Sequence, residues 1–173
     1  MLLAGPSCSG KTELSRELQS SLPDRWLIWA ADVSQPRFPG RDEFVTIEAD
    51  LLMVGANLRS VRAYLESGFN VIVELFIWDT QRVALAEPML APFDALVVRL
   101  DCSADTLELR ERLRGTTYVG LARQQLDALG WNFPADLVLN TERCSPRELA
   151  GLVGAWLATD PIPSALGSME RHD

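Results

Sequence analysis

Gly5-Pro6-Ser7-Cys8-Ser9-Gly10-Lys11-Thr12 follows a short apolar start and precedes a segment of helical period. This octapeptide has the pattern G-x-x-x-x-G-K-[ST], which is typical of loops that bind a nucleoside triphosphate. Its glycines allow successive backbone N–H groups to point at one anion, and a helix that starts at the loop adds its positive dipole end. We expect Lys11 to reach the β- and γ-phosphates and the Thr12 hydroxyl to bind Mg²⁺. The alternative interpretation is an ordinary glycine-rich turn.

The overall composition limits the class of protein. The 173 residues suit one α/β domain, and 16 Lys and Arg against 24 Asp and Glu give a net charge of −8, which argues against nucleic acid as a partner. Cys8, Cys102 and Cys144 include no close pair, so neither a disulfide framework nor a zinc site is indicated. No segment has the length of a membrane span, and the loop lies too near the N-terminus for a signal peptide. These features predict a cytoplasmic protein, monomeric or homodimeric.

Apolar runs rich in Val, Ile and Leu alternate with segments of helical period, which predicts a parallel sheet covered by helices on both faces. Strands are expected at about 1–4, 26–31, 70–77, 95–101 and 136–140. Helices are expected at about 11–22, 50–67, 79–91, 103–113, 118–129 and 145–158. Pro88 weakens the helix at 79–91. The prolines after Asp160 predict a flexible tail over 159–173, behind a single domain at 1–158.

Two carboxylates belong to predicted strand ends, where sites form in parallel α/β sheets. Asp32 follows the second strand and is a candidate base for the proton of an acceptor hydroxyl, although an Asp there also suits a turn. Glu74 is the acidic residue of the otherwise apolar third strand. It is a candidate for holding Mg²⁺ or touching the acceptor, and the alternative is a solvated carboxylate.

Arginines cluster near the end of the helix that follows the fourth strand. Arg110 and Arg114 lie four residues apart and share a helix face, whereas Arg112 points elsewhere. They are candidates to clamp phosphates from a lid, and a solvated face paired with Glu108 and Glu111 is the alternative.

Together these residues resemble the chloramphenicol phosphotransferase-like family of phosphate-loop kinases, which is similar to shikimate, gluconate and nucleoside monophosphate kinases. The likeness extends to about residue 158 and rests on the following segments: GPSCSGKT at 5–12, LPDRWL at 22–27, VVRLDC at 97–102, RERLRG at 110–115, VGLARQQ at 119–125 and DLVLNT with SPRELA at 136–150.

The resemblance implies a three-layer α/β/α sandwich around a five-stranded parallel sheet in 2-3-1-4-5 order, with a helical lid at about 110–131. It implies ATP as donor, Mg²⁺ as metal, a small-molecule hydroxyl as acceptor, and Asp32 as the base. Arg110 and Arg114 map onto the family's lid arginines, and the adenine is expected between the lid and the loop after Asn140 and Thr141.

The chain departs from the family pattern at two places. Arg114-Gly115-Thr116-Thr117 stands where the family looks like R-G-D-R, so one lid arginine is missing and Arg123 is a possible substitute. Glu74-Leu75 stands where an Asp-Asp pair tends to close the third strand. Two other functions therefore stay open: a nucleoside or nucleotide kinase, which needs a basic acceptor pocket, and a nucleotide-binding regulatory module without phosphotransfer. The basic residues available for such a pocket are Arg37, Arg41, Arg59 and Arg62.

Overall fold

The computed structural model describes residues 1–30, 47–74, 80–115, 119–129 and 134–166. Asp32, together with Arg37 and Arg41, lies outside these residues. Five strands form the sheet: β1 (Leu2–Ala4), β2 (Trp26–Ala30), β3 (Asn70–Glu74), β4 (Val97–Asp101) and β5 (Leu137–Asn140). Within the described ranges, six helices flank it: α1 (Lys11–Ser21), α2 (Ile47–Glu66), α3 (Thr80–Leu90), α4 (Ala104–Arg114), α5 (Leu121–Leu129) and α6 (Pro146–Leu157).

The strands are parallel and run in the order β2-β3-β1-β4-β5, as predicted. Each predicted strand and helix is present, and its ends shift by a few residues where they are described. The predicted end of the third strand at 75–77 lies outside the described residues. Helix α2 begins earlier than expected, and Glu48 and Asp50 in its first turn favour a helix N-terminus there. Helix α5 begins later, directly after Gly120, whose φ of 91° is left-handed and cannot continue a helix.

Alternate residues of the strands face two separate cores, because successive side chains of a strand point to opposite sides of the sheet. Leu2, Val71, Val73 and Val97 pack against α2 and α3 on one face. On the other face, a second buried set packs against α1 and α6, and it includes Leu3, Ile72, Val98, Leu100 and Leu139. The three-layer arrangement follows directly from this alternation.

The predictions for Pro88 and for the C-terminal segment were less accurate than those for the strands. Pro88 lies inside α3, and the helix continues two residues past it before a 3₁₀ turn at Ala91–Phe93. The segment at 160–166, expected to be loose, is held at Asp136, whose Oδ1 accepts from the Ser164 backbone N–H at 2.7 Å. Ala165 and Leu166 are buried in the same core as Leu2. The described part of the expected tail is therefore packed against the domain.

Candidate functional site

The phosphate-binding loop forms the floor of a pocket at the carboxyl edge of the sheet. Gly10 adopts a left-handed φ of 99° immediately before α1, so the loop turns directly into the helix. The first amides of a helix have no acceptor within the helix, and they carry its positive dipole end. Strand, loop and helix together therefore present backbone donors to this edge of the sheet, as the sequence predicts.

Lys11 and Gly5 show how tightly the loop is folded. The Lys11 ammonium donates to the carbonyls of Gly5 at 2.8 Å and Pro6 at 2.7 Å, across the open side of the loop. A Cβ on Gly5 would lie 2.7 Å from the Ser9 Oγ and 3.1 Å from the Leu100 carbonyl oxygen. The glycine is required because no side chain fits between the loop and β4.

Thr12 and Glu74, the two residues expected to bind Mg²⁺, are hydrogen-bonded to each other. The Thr12 hydroxyl donates to Glu74 Oε2 at 2.7 Å, and the Ser15 hydroxyl contacts the other carboxylate oxygen. Glu74 is buried at the end of β3, directly beside Ala30 at the end of β2. The next residues along the chain from Ala30 lead to Asp32, whose position the described residues do not include.

The predicted arginines differ in their contacts. Arg110 donates to the Cys8 carbonyl at 3.3 Å, to the Thr141 hydroxyl at 3.1 Å and to the Thr141 carbonyl at 2.8 Å. Arg110 therefore joins the phosphate-binding loop to the loop after β5. Arg114 lies one turn later, lines the pocket and is exposed.

Two other predicted residues lie elsewhere. Arg123 pairs with Glu108 at 3.5 Å and with Asp127 at 3.2 Å, and it does not line the pocket. The Asn140 side chain accepts the Glu142 backbone N–H at 2.9 Å and is likewise absent from the lining. Cys102 is buried beside Arg110; burial raises the pKa of its thiol, although the nearby guanidinium acts in the opposite direction.

The pocket has a volume of about 530 Å³. Over the described part of the chain, its charged lining consists of Lys11, Arg16, Arg110 and Arg114 against Glu13 and Glu74. Four cations against two carboxylates make it locally basic within a chain of net charge −8. Such a balance favours an anionic ligand.

Several lining residues were missed by sequence reasoning. Arg16 follows Thr12 by four positions, so the helical period of α1 could have placed it on the same face. Ser15, its neighbour in the chain, does not line the pocket but is buried, and its hydroxyl contacts Glu74. Cys144, Pro146 and Leu149 also line the pocket, together with Thr141. Pro146 and Leu149 belong to the first turn of α6, and Cys144 lies just before that helix. They carry no phosphate-binding pattern, so only the folded chain brings them to the loop.

The donor groups suit a magnesium nucleotide better than a self-contained metal centre. Among the described residues, no three side chains of the types His, Cys, Asp or Glu form a group that could hold a metal. Thr12 and Glu74 supply oxygen atoms only, which Mg²⁺ prefers, and Mg²⁺ commonly fills its remaining positions with phosphate oxygens and water. The residues present thus fit Mg²⁺ held jointly with phosphates.

Residues 1–157 match the model of a protein family described as "Chloramphenicol phosphotransferase-like protein". The chain belongs to this family. The match covers both the loop and the pocket, and it confirms the resemblance inferred from the sequence.

Among curated proteins, the chain is similar to a Mycobacterium tuberculosis protein named "Putative O-phosphotransferase". The two are 25% identical over 197 residues, and the alignment covers 99% of this chain and 88% of that protein. The fold of this chain is similar to that of a sugar kinase from Janibacter, with a TM-score of 0.70 and 18% identity over 91% of this chain and 92% of that one. It is also similar to the Mycobacterium tuberculosis APS kinase solved with AMPPNP and APS, with a TM-score of 0.68 and 18% identity over 91% and 96% of the two chains. The structural likenesses establish the phosphate-loop kinase fold. Over the described residues, no helix has both the length and the apolar character needed to span a bilayer.

Proposed function

We propose that the protein is an ATP-dependent kinase that transfers the γ-phosphate to a hydroxyl group of a small molecule. The observation that carries the proposal is the Thr12–Glu74 contact inside a basic pocket that also reaches the end of β2. The phosphate-binding residues Lys11 and Thr12 and the end of β2, where we expect the acceptor, therefore line one cavity. The "O-phosphotransferase" name of the Mycobacterium tuberculosis relative agrees with this reaction class.

The donor half of the site consists of the loop 5–12, Arg110, Arg114 and Thr141. The loop amides and Lys11 bind the β- and γ-phosphates, and the two arginines offset charge that develops on the transferring group. Thr12 and Glu74 hold Mg²⁺, which when bound neutralises the phosphate oxygens. The adenine lies towards Thr141 and the start of α6, where Pro146 and Leu149 provide apolar surface.

The acceptor half lies at the ends of β2 and β3. In the transfer step, the acceptor oxygen forms a bond to the γ-phosphorus while the bond to the β–γ bridging oxygen breaks and ADP leaves. Asp32 takes the proton of the acceptor hydroxyl. Arg16, whose guanidinium has no ion-pair partner among the described residues, lines this end of the pocket beside Ala30.

A nucleotide acceptor receives less support. Of the arginines available for an acceptor phosphate, Arg62 is paired with Glu66 at 2.7 Å and lies 5.8 Å from the Phe93 ring centroid. Neither Arg59 nor Arg62 lines the pocket. Arg37 and Arg41 lie outside the described residues. Since neither described candidate supports an acceptor-phosphate site, we favour small hydroxylated molecules over nucleoside monophosphates.

The test is a screen for ADP release with hydroxylated antibiotics, sugars and nucleosides, using wild-type protein and Asp32→Ala. A kinase should release ADP in an acceptor-dependent manner, and Asp32→Ala should abolish this release while ATP still binds. Asp24→Ala is the matched control, since Asp24 is exposed in the turn between α1 and β2.

Two results would contradict the proposal. Absence of acceptor-dependent ADP release across the screen, with ATP bound normally, would instead support the regulatory module. Full activity of Asp32→Ala would remove the assigned base.

A further inference from the structure

Gln125 connects α5 to the phosphate-binding loop. Its side-chain oxygen Oε1 accepts the Ser7 backbone N–H at 2.6 Å, although the two residues are 118 positions apart in the chain. Gln125 is only 4% exposed and does not line the pocket, so this amide points into the protein. The neighbouring Gln124, in contrast, is exposed.

The loop apex makes two further contacts with the pair of helices α4 and α5. Cys8 has a left-handed φ of 61°, uncommon for a residue with a side chain, and packs against the cluster of Cys102, Leu107, Ala122 and Leu126. Its carbonyl accepts from Arg110 of α4. The strained residue is thus held from both helices.

Glu111 keeps these helices together. Its buried carboxylate accepts the Gly120 N–H at 2.6 Å and the Ala122 N–H at 3.0 Å, at the N-terminus of α5. Because α5 is attached to α4 in this way, Gln125 approaches Ser7 from a fixed support. The Ser7 amide, the Cys8 conformation and the position of α5 are therefore linked.

We propose that Gln125 is a positioning residue that sets the curl of the phosphate-binding loop by holding the Ser7 amide away from the nucleotide. With that amide anchored behind the loop, the backbone from Cys8 into the first turn of α1 turns its remaining donors towards the phosphates, while the Ser9 N–H closes the loop on the Pro6 carbonyl at 3.3 Å. The proposal rests on the proposed function only in taking ATP as the ligand of the loop. Helix α5 thus helps to shape the phosphate site through the hydrogen bond from Ser7 to Gln125.

A phosphate-specific loss of affinity is the expected consequence. Gln125→Met keeps an unbranched side chain of similar length but removes the acceptor, which leaves the partly buried Ser7 N–H without this partner. Isothermal titration should then show ATP binding weakened by roughly tenfold, the loss expected when a buried donor loses its acceptor. AMP lacks the β- and γ-phosphates, so its affinity should change by less than about threefold.

Gln124→Met is the matched control, because it makes the same substitution on the exposed neighbour. It should bind both ATP and AMP as the wild type does. A general loss of stability in Gln125→Met would weaken both nucleotides by the same factor, and that result would overturn the proposal. Unchanged ATP affinity in Gln125→Met would overturn it equally.

Gln125→Glu provides a second test if the Met variant does not fold. The carboxylate still accepts the Ser7 N–H but places a negative charge behind the loop. Relative to Gln124→Glu, its ATP affinity should be low at about pH 8 and should recover towards about pH 5.5, as the glutamate takes up a proton. Identical pH profiles for the two glutamate variants would count against the proposal.

The failure of this inference differs from failure of the proposed function. If wild-type protein binds ATP and the variants bind it equally, only the role of Gln125 is lost. If the wild-type protein binds no ATP, the kinase proposal and the role of Gln125 both fail.

Discussion

The Thr12 hydroxyl lies 2.7 Å from Oε2 of Glu74, although the two residues are 62 positions apart in the chain. Ser15 contacts the other carboxylate oxygen, so both oxygens of this buried glutamate accept a hydroxyl from α1. A buried carboxylate needs such partners, because desolvating an unpaired charge is costly. The single carboxylate of β3 is therefore already oriented by the helix that follows the phosphate-binding loop.

Glu74→Gln should impair the use of Mg²⁺ more than the binding of the nucleotide itself. The amide retains only one oxygen, and loss of a group that orients a metal ligand typically reduces metal affinity or activity by about 10- to 100-fold. A Mg²⁺ titration of turnover should show a higher half-saturating concentration. Glu13→Gln, which removes another carboxylate of the pocket lining that is not bonded to Thr12, should leave this concentration unchanged. An unaltered Mg²⁺ requirement in Glu74→Gln would argue against the assignment.

Arg110→Met should weaken both the fold and the site. The substitution removes the donor to the Cys8 and Thr141 carbonyls, and hydrogen bonds from a charged group contribute about 1.5–3 kcal/mol each. Thermal unfolding should shift to lower temperature, and ATP affinity should fall. Arg110→Lys should not restore either property, because an ammonium lacks the forked geometry.

Arg112→Met is the control for that experiment, since Arg112 is exposed and does not line the pocket. It should alter the free energy of unfolding by no more than about 0.5 kcal/mol. Equal destabilisation by Arg110→Met and Arg112→Met would contradict a structural role for Arg110.

Gly5→Ala should destabilise the protein, because the new methyl group would meet the Ser9 Oγ and the Leu100 carbonyl. Overpacking of this kind costs about 1–3 kcal/mol in the free energy of unfolding, and the shifted loop should also bind ATP less well. Gly151→Ala, within α6, meets no atom within 4 Å and should stabilise the helix instead. Chemical denaturation of the two variants measures both effects. A Gly5→Ala protein as stable as the wild type would show that the loop can relax.

The three thiols should differ in alkylation by iodoacetamide. Burial raises the pKa of Cys102, so its thiolate forms only at higher pH than in an ordinary thiol, and the residue is also 1% exposed. Cys8 and Cys144 line the pocket, so they should react faster at neutral pH and be protected by ATP. Peptide mass spectrometry after timed labelling distinguishes the sites. Labelling of Cys102 at the rate of Cys144 in folded protein would contradict the described burial.

The fold could be predicted from the sequence because its elements are marked locally. Strand β3 contains the apolar run Val71 to Val73, β4 begins with Val97 and Val98, and Ser145 with Glu148 forms the capping box that begins α6. The loop at 5–12 likewise identified Lys11 and Thr12. These signals depend on neighbours in the chain, which a single sequence contains.

Contacts between distant elements could not be predicted in the same way. Gln125 is one of two adjacent glutamines on α5, and only tertiary packing determines which of them reaches Ser7. Asn140 and Thr141 are also neighbours, yet only Thr141 lines the pocket. In both cases only the folded chain decides which of the two neighbouring side chains makes the contact.

The contact between Asp136 and Ser164 limits how far the C-terminus of the protein can be truncated. The family match ends at residue 157, but Asp136 also holds Ser164, and Ala165 and Leu166 complete the core beside Leu2 and Val97. A stop codon placed after α6 would remove two buried side chains and expose the apolar residues that they cover. A recombinant protein intended for crystallisation or binding assays should therefore extend to at least residue 166, with any purification tag placed beyond it.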